Sequence, residues 1–448
     1  MAAVSDGPVQ SNLAGKSYTA ILSVMMFLQF FLWGAWFVTL GPFMGARGFK
    51  GEMIGNAYST APVAAILAPL ILGAIADRFF ASQRVMAFLH VVGGLCLLGA
   101  PSVADGAMGG GNGWVFISVL LVHMLCYMPT LGLSNTVAFN AMSNPAKQFP
   151  IVRVWGTIGW IVAGISVGYL AKQMVTDKGT FADLATAQAA APFFFYVAGA
   201  SGIVLGLFSL MLPHTPPPQK GKPFAASSAL GLDALALLGN RNFLVFTVAS
   251  LLICIPLAAY YSFAGVYAGK AGVEDVPFKM TFGQMSEIFF MLVMPLCFAR
   301  LGVKWMLAIG MLAWVIRYGL FGLAWPVPTA EPMHSVYLVL GGIILHGICY
   351  DFFFVTGQIY TEQSAPKEMR AQAQGFLVLV TQGVGMLIGN QVFGRLVDGY
   401  TADGVTDWRT VWFIPAAFAL GILIMFVLAF KGGTTVAIPE RRRQNVVG

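Results

Sequence analysis

Apolar runs of about twenty residues recur along nearly the whole chain, parted by short polar breaks. About twenty residues of α-helix cross a bilayer's hydrocarbon core, where every backbone N–H and C=O must find its partner within the protein. The runs lie at about 19–40, 53–75, 84–103, 113–139, 150–172 and 192–212, then at about 242–268, 280–299, 303–325, 335–361, 371–395 and 409–430. They predict an all-α polytopic membrane protein with twelve transmembrane helices. An outer-membrane barrel would show alternating segments of roughly ten residues instead. Composition excludes a soluble domain: 58% of residues are hydrophobic, 10% are charged and the mean hydropathy is +0.78, whereas soluble domains carry about a quarter charged residues.

The spans divide six and six about Leu212-Pro-His-Thr-Pro-Pro-Pro-Gln-Lys-Gly-Lys-Pro223, whose prolines cannot continue a helix. The expected units are an N-terminal bundle over 1–212, a cytoplasmic linker over 213–241 and a C-terminal bundle with a basic tail over 242–448. With both termini cytoplasmic, the inner segments hold fifteen lysines and arginines and the outer segments eight, as the positive-inside rule requires. Arg441-Arg442-Arg443 then reads as an anchor to lipid headgroups in a cytoplasmic membrane, not as a nucleic-acid patch. Residues 1–18 are polar and no small-x-small pattern follows the first apolar run, so that run reads as a retained span. The five cysteines all lie in apolar runs without a C-x-x-C pair, which suits reduced core residues and not a metal site.

Four charges remain inside the spans: Arg153, Glu287, Arg317 and Asp351. Two acids and two bases permit mutual neutralisation where isolated charges are costly. Arg153 sits near a span end and can snorkel, whereas Glu287 and Asp351 lie about 15 Å from the nearer helix end. Intramembrane acids usually mark ion or substrate paths, although an ion pair that merely locks helices is the alternative. Arg317 is expected to act as a structural charge partner.

Helical spacing gathers neighbours around these charges. Gln284 and Glu287 are spaced i, i+3; His346 and Tyr350 are spaced i, i+4, with Asp351 adjacent and Gln358 two turns along its face. Arg153, Thr157 and Trp160 share one face of span five, and Gln29, Trp33 and Trp36 one face of span one. Four helices thus offer polar and aromatic groups to a common centre. Amides and carboxylates fix hydroxyls, and rings stack on a flat heterocycle. Taken singly, each aromatic suits an interfacial belt or lipid packing, and Trp36 suits it best. Gly109-Gly-Gly-Asn-Gly113 follows no strand and is a turn, not a phosphate loop. No metal-ligand cluster, H-E-x-x-H or hydrolase elbow occurs, so an enzyme is not expected.

The halves echo each other weakly, as in transporters whose two bundles rock about a central site. Gly73-Ala-Ile-Ala-Asp77-Arg78 with Arg84 resembles the signature between helices two and three of the major facilitator superfamily, without the glycine that usually follows the basic residue. Leu28-Gln-Phe-Phe-Leu-Trp-Gly34, Tyr127-Met-Pro-Thr-Leu-Gly-Leu133, Phe149-Pro-Ile-Val-Arg-Val-Trp-Gly-Thr-Ile-Gly159, Gln284-Met-Ser-Glu287, Gly347-Ile-Cys-Tyr-Asp-Phe-Phe353 and Asp407-Trp-Arg-Thr-Val-Trp412 resemble, in the same order, motifs of the nucleoside:proton symporters of that superfamily. The resemblance implies the major facilitator fold, nucleoside import driven by protons through alternating access, no bound cofactor and a functional monomer. It implies roles in substrate binding or coupling for Arg153, Thr157, Gln284, Glu287, His346, Tyr350 and Asp351, with Asp351 and Glu287 as the candidates for the proton. The chain departs from the family on span seven, where Ile255-Pro-Leu-Ala-Ala-Tyr-Tyr261 replaces polar amides and Tyr260 stands as a stacking or hydroxyl group. That departure keeps open a proton-coupled symporter of another small polar metabolite, a sugar or glycoconjugate.

Overall fold

The computed structural model describes residues 18–71, 77–108, 113–143, 145–181, 183–217, 225–327 and 332–431. The Gly73 end of the facilitator signature, the interior of the 109–113 turn and the basic tail lie outside these residues. The first half comprises α1 (Thr19–Ala46), α2 (Gly51–Ile71), α3 (Ser82–Met108), α4 (Gly113–Ala141), α5 (Pro145–Met174) and α6 (Phe193–Ser209). In the second, α7 spans Arg241–Lys270, and Val276–Leu323 forms one 48-residue helical run. A straight helix of that length would measure about 72 Å, more than twice the hydrocarbon core. The run breaks at Gly302, where φ is 66° and ψ 175°; α8 precedes this break and α9 follows it. The α10 rod runs from Pro332 to Ser364 with an irregular turn at Leu345, and α11 covers Arg370–Gly399. The last helix, α12, is Trp408–Ala429. Twelve spans in two six-helix halves are the major facilitator architecture.

Close helix approach within each half rests on glycine. A Cβ at Gly159 on α5 would overlap the Phe27 carbonyl of α1, and one at Gly94 on α3 would sit 2.7 Å from the Gly199 carbonyl of α6. Small residues let backbones meet where lipid supplies no hydrophobic force to drive helices together. Gly159→Val should therefore lower the yield of monodisperse protein in detergent several-fold, read by size-exclusion chromatography, while a substitution at open Gly421 should not.

Tyr58 repairs a second local break. Pro42 inside α1 cannot donate to the helix ladder. The Tyr58 hydroxyl of α2 enters one residue upstream, accepting from Gly41 N–H at 3.1 Å and donating to the Phe37 carbonyl at 2.7 Å. Inserting a side chain into the ladder is a recognised way to bend a helix without leaving polar backbone unpaired.

The halves meet through α1 with α7, α2 with α11 and α5 with α8. Their polar bridges cluster at the end where α1 terminates. Asp398 of α11 accepts from Gly51 N–H at 2.6 Å and Glu52 N–H at 2.8 Å, placing a carboxylate on the positive N-terminus of α2. Beside it Arg395 pairs with Glu52 at 3.5 Å, and Gln391 donates to Asn56 and Ser59. Across the same end Lys172 pairs with Asp275 at 3.0 Å.

Two features depart from the sequence reading. The divider is not wholly polar, because Leu232–Gly239 forms a 3-10 segment that buries Ala234 and Leu237. A short hairpin, Thr401–Ala402 with Val405–Thr406, joins α11 and α12; its Asp403-Gly404 turn has positive φ at both residues, the geometry for which Asp-Gly is suited. Asp407 then caps α12, and its hydrogen bond from the Thr410 hydroxyl holds that exposed carboxyl below the usual range.

Candidate functional site

Two faces oppose each other where the halves meet. On α5, Arg153 and Thr157 are half-buried, as are Gln284 and Glu287 on α8. Each pair sits one turn apart on its helix, and the two helices pack against each other across the interface. Arg153 lies within electrostatic range of Glu287 and Tyr350 without a direct ion pair to Glu287, and its guanidinium covers the Phe30 ring at 4.2 Å. The mutual neutralisation expected of the four charges is thus present only loosely between Arg153 and Glu287.

An aromatic wall flanks these groups. Trp33 packs edge-on against Trp160 at 5.3 Å and near Tyr127 at 5.5 Å. Opposite them, Tyr261 reaches Phe37 across the interface at 6.0 Å and lies within electrostatic range of Glu287 and Tyr350. The two tyrosines of α7 have divided roles. Tyr260 is 2% exposed, with the Arg317 guanidinium 4.1 Å from its ring centre and the His346 ring stacked 5.4 Å away. The half-buried Tyr261, which sequence reasoning missed, is the tyrosine of the pair that reaches Phe37 and comes near Glu287. The signal was the Tyr-Tyr doublet itself, since adjacent helical residues point about 100° apart.

His346 is 3% exposed and stands behind this wall, touching Tyr260, Tyr261 and Tyr350. Its helix closes on α8 by backbone: Gly347 N–H donates to the Ser286 hydroxyl at 3.0 Å, and a Cβ at Gly347 would lie 2.6 Å from the Ser286 carbonyl. Asp351 follows one turn on, fully buried, with neither carboxylate oxygen hydrogen-bonded. It is the second residue of a π-helical stretch, Tyr350–Val355. Such wide turns are rare and concentrate at functional sites. The stretch also swings Gln358 roughly a quarter turn off the Asp351 face relative to a continuous α-helix, which is why Gln358 is exposed rather than beside the acid. A second π stretch, Leu379–Gly385, interrupts α11.

Three sequence expectations are relocated. Gln29 is fully buried inside the first half, its amide engaged at both ends, with Thr130 at 2.8 Å and His90 at 3.0 Å. It supports the face that carries Trp33 and does not line it. Trp36 is also fully buried, against His123 and Phe195, and does not face lipid. Arg317 pairs with no acid: Nε donates to the Gly342 carbonyl at 3.0 Å, both terminal nitrogens are unbonded, and Tyr260 covers the guanidinium. The reason is common to all three. In a helix apolar on every side, periodicity does not tell the half's own core from the central face.

A family model described as nucleoside H+ symporter matches residues 17–435. The transporter YegT of Escherichia coli (strain K12) is 38% identical over 92% of this chain and 94% of its own. Nucleoside permease NupG of Escherichia coli (strain K12) is 33% identical over 92% and 95%. A crystal structure of the nucleoside transporter NupG superposes with a TM-score of 0.79 at 31% identity, covering 93% of this chain and 100% of that one. The chain is thus an integral membrane transporter and not an enzyme, and it belongs to the nucleoside H+ symporter family.

Proposed function

We propose that the centre between α5 and α8 binds the nucleoside and that Asp351 carries the symported proton. The single observation behind this is the juxtaposition of half-buried, opposed groups on α5 and α8 with a buried, unpaired carboxyl one helix away. Gln284 and Glu287 hold ribose hydroxyls or base edges, while Arg153 and Thr157 complete the opposite side. Trp33, Tyr261 and Tyr350 supply flat apolar faces for the base, with a hydroxyl on each tyrosine. Tyr260 and His346 back that wall.

A carboxylate without a partner or water is costly in hydrocarbon, and the neutral acid is not. Asp351 accordingly holds its proton while it is buried, as in this conformation, and releases it when cytoplasmic water reaches the carboxyl itself. Neutralisation lets the loaded carrier change state, which couples proton and substrate movement. Glu287 keeps its charge for the substrate.

The units that rock are 1–212 and 242–448, joined by the segment 213–241. With both termini cytoplasmic, as the excess of inner lysine and arginine favours, the Asp398–α2 and Lys172–Asp275 bridges close the outer side. The conformation is then inward-facing, in a bacterial inner membrane, and one chain contains the whole site, consistent with a functional monomer.

Cells expressing the chain should accumulate labelled uridine or adenosine above the external level. A protonophore should reduce accumulation to equilibrium, and unlabelled nucleosides, not sugars, should compete. Uptake indifferent to the protonophore, or competed only by sugars, would overturn the proposal.

A further inference from the structure

We infer that His90, Gln29 and Thr130 are positioning residues: a buried hydrogen-bonded brace across α1, α3 and α4 that, with Tyr127, sets Trp33 at the nucleoside site. The inference rests on the nucleoside reading above and concerns residues which that reading leaves without a task.

The donors and acceptors of the brace can be assigned in one direction. The Thr130 hydroxyl donates its only hydrogen to the Tyr127 carbonyl at 2.6 Å. Toward Gln29 it must therefore accept, and the Gln29 amide nitrogen donates to it at 2.8 Å. That fixes the amide orientation and turns the Gln29 Oε1 toward His90 at 3.0 Å. His90 Nε2 must then carry a hydrogen and donate. The Tyr127 hydroxyl closes the loop by donating to the Gln29 carbonyl at 2.8 Å. In an α-helix that carbonyl is also the acceptor for the amide four residues on, which is Trp33. The brace thus grips the helical turn from which Trp33 projects.

Every member is sealed from solvent: Gln29 and Thr130 are 0% exposed, Tyr127 1% and His90 2%. Nucleoside cannot touch Gln29, Thr130 or His90 in this conformation, so their effect must pass through others. Two routes lead outward: from the Gln29 turn to Trp33, and from the Tyr127 ring to the Trp33 ring at 5.5 Å. From Trp33 the packing continues to Trp160, one turn from Thr157 on α5.

Stability alone does not explain such a network. Apolar residues of the same shape in all positions can be neutral or stabilising, whereas one missing partner leaves a buried polar group unpaired. What a fully satisfied network adds is a single arrangement. Three helices of this half are apolar on nearly every side, and nothing in their hydropathy fixes rotation. The brace does.

Uptake kinetics in the full-length protein test this with His90→Leu, His90→Gln and Thr130→Val. His90→Leu keeps the bulk and loses the donor; His90→Gln restores an N–H₂ near the same place. His90→Leu and Thr130→Val should each raise the nucleoside KM about tenfold, with Vmax per folded transporter changed less than about threefold. His90→Gln should return KM to within about threefold of wild type, and His90→Leu/Thr130→Val should cost less than the product of the single effects. Wild-type KM in both single variants, or loss confined to the amount of folded protein, would overturn the brace. Failure of the wild type to take up nucleoside would instead overturn the reading of the substrate, so the two failures are distinct.

Discussion

Asp351→Asn should abolish uphill nucleoside accumulation while leaving substrate binding and counterflow exchange largely intact. Asparagine nearly matches the side chain in size and stays neutral throughout the cycle, so the hydrocarbon cost of a charge never arises. What disappears is the group that can lose a proton on one side only. Accumulation ratios should fall from well above unity to about one, and the protonophore should have no further effect. An asparagine variant that still concentrates substrate would remove Asp351 from the coupling step. Because both Asp351 oxygens are unpaired in this conformation, the exchange of acid for amide leaves no former partner stranded, and folded yield should be preserved.

The second large effect is expected at Glu287. The residue is half-buried between the halves, with Arg153 in electrostatic range across the interface. A hydrogen bond to a charged group contributes about 1.5–3 kcal/mol, so Glu287→Gln should raise the nucleoside KM by roughly 10- to 100-fold. The same change should leave protonophore sensitivity of the residual uptake in place. That contrast separates the two acids: Asp351→Asn uncouples a carrier that still binds, and Glu287→Gln weakens binding in a carrier that still couples. Should the two phenotypes exchange, the assignment of proton and substrate reverses, while the nucleoside symporter reading stands.

Much of this molecule was legible in its sequence because the bilayer imposes a length. Runs of about twenty apolar residues can hardly be anything but spanning helices, and all twelve appear where the runs lie, including the two joined through Gly302. The charged residues of the site were legible for a related reason: Arg153, Glu287 and Asp351 are conspicuous wherever water is absent. Rotation was not legible. Gln29 and Trp33 lie on one face by spacing, yet Gln29 is locked inside its half while Trp33 meets the centre. Both surroundings are aromatic and polar, so residue type does not distinguish them. The π-helical stretch at Tyr350–Val355 was also invisible, because Tyr-Asp-Phe-Phe-Phe-Val carries no glycine or proline to announce a change of pitch. Its consequence, the loss of Gln358 from the Asp351 face, could be seen only in three dimensions.

The short hairpin and the buried 3-10 segment had signals that an all-helical reading passes over. Asp403-Gly404 is a strong two-residue turn, and Leu-Asp-Ala-Leu-Ala-Leu-Leu-Gly is too apolar for a linker wholly in water.

Proton movement itself tests the central claim most directly. Nucleoside added outside to de-energised cells in weakly buffered medium should make the medium alkaline as protons enter with the substrate. The wild-type chain is expected to produce this transient, and Asp351→Asn, at equal expression, to take up or exchange nucleoside without it. A transient of undiminished size in Asp351→Asn, or none in a wild-type chain that takes up nucleoside, would contradict the account.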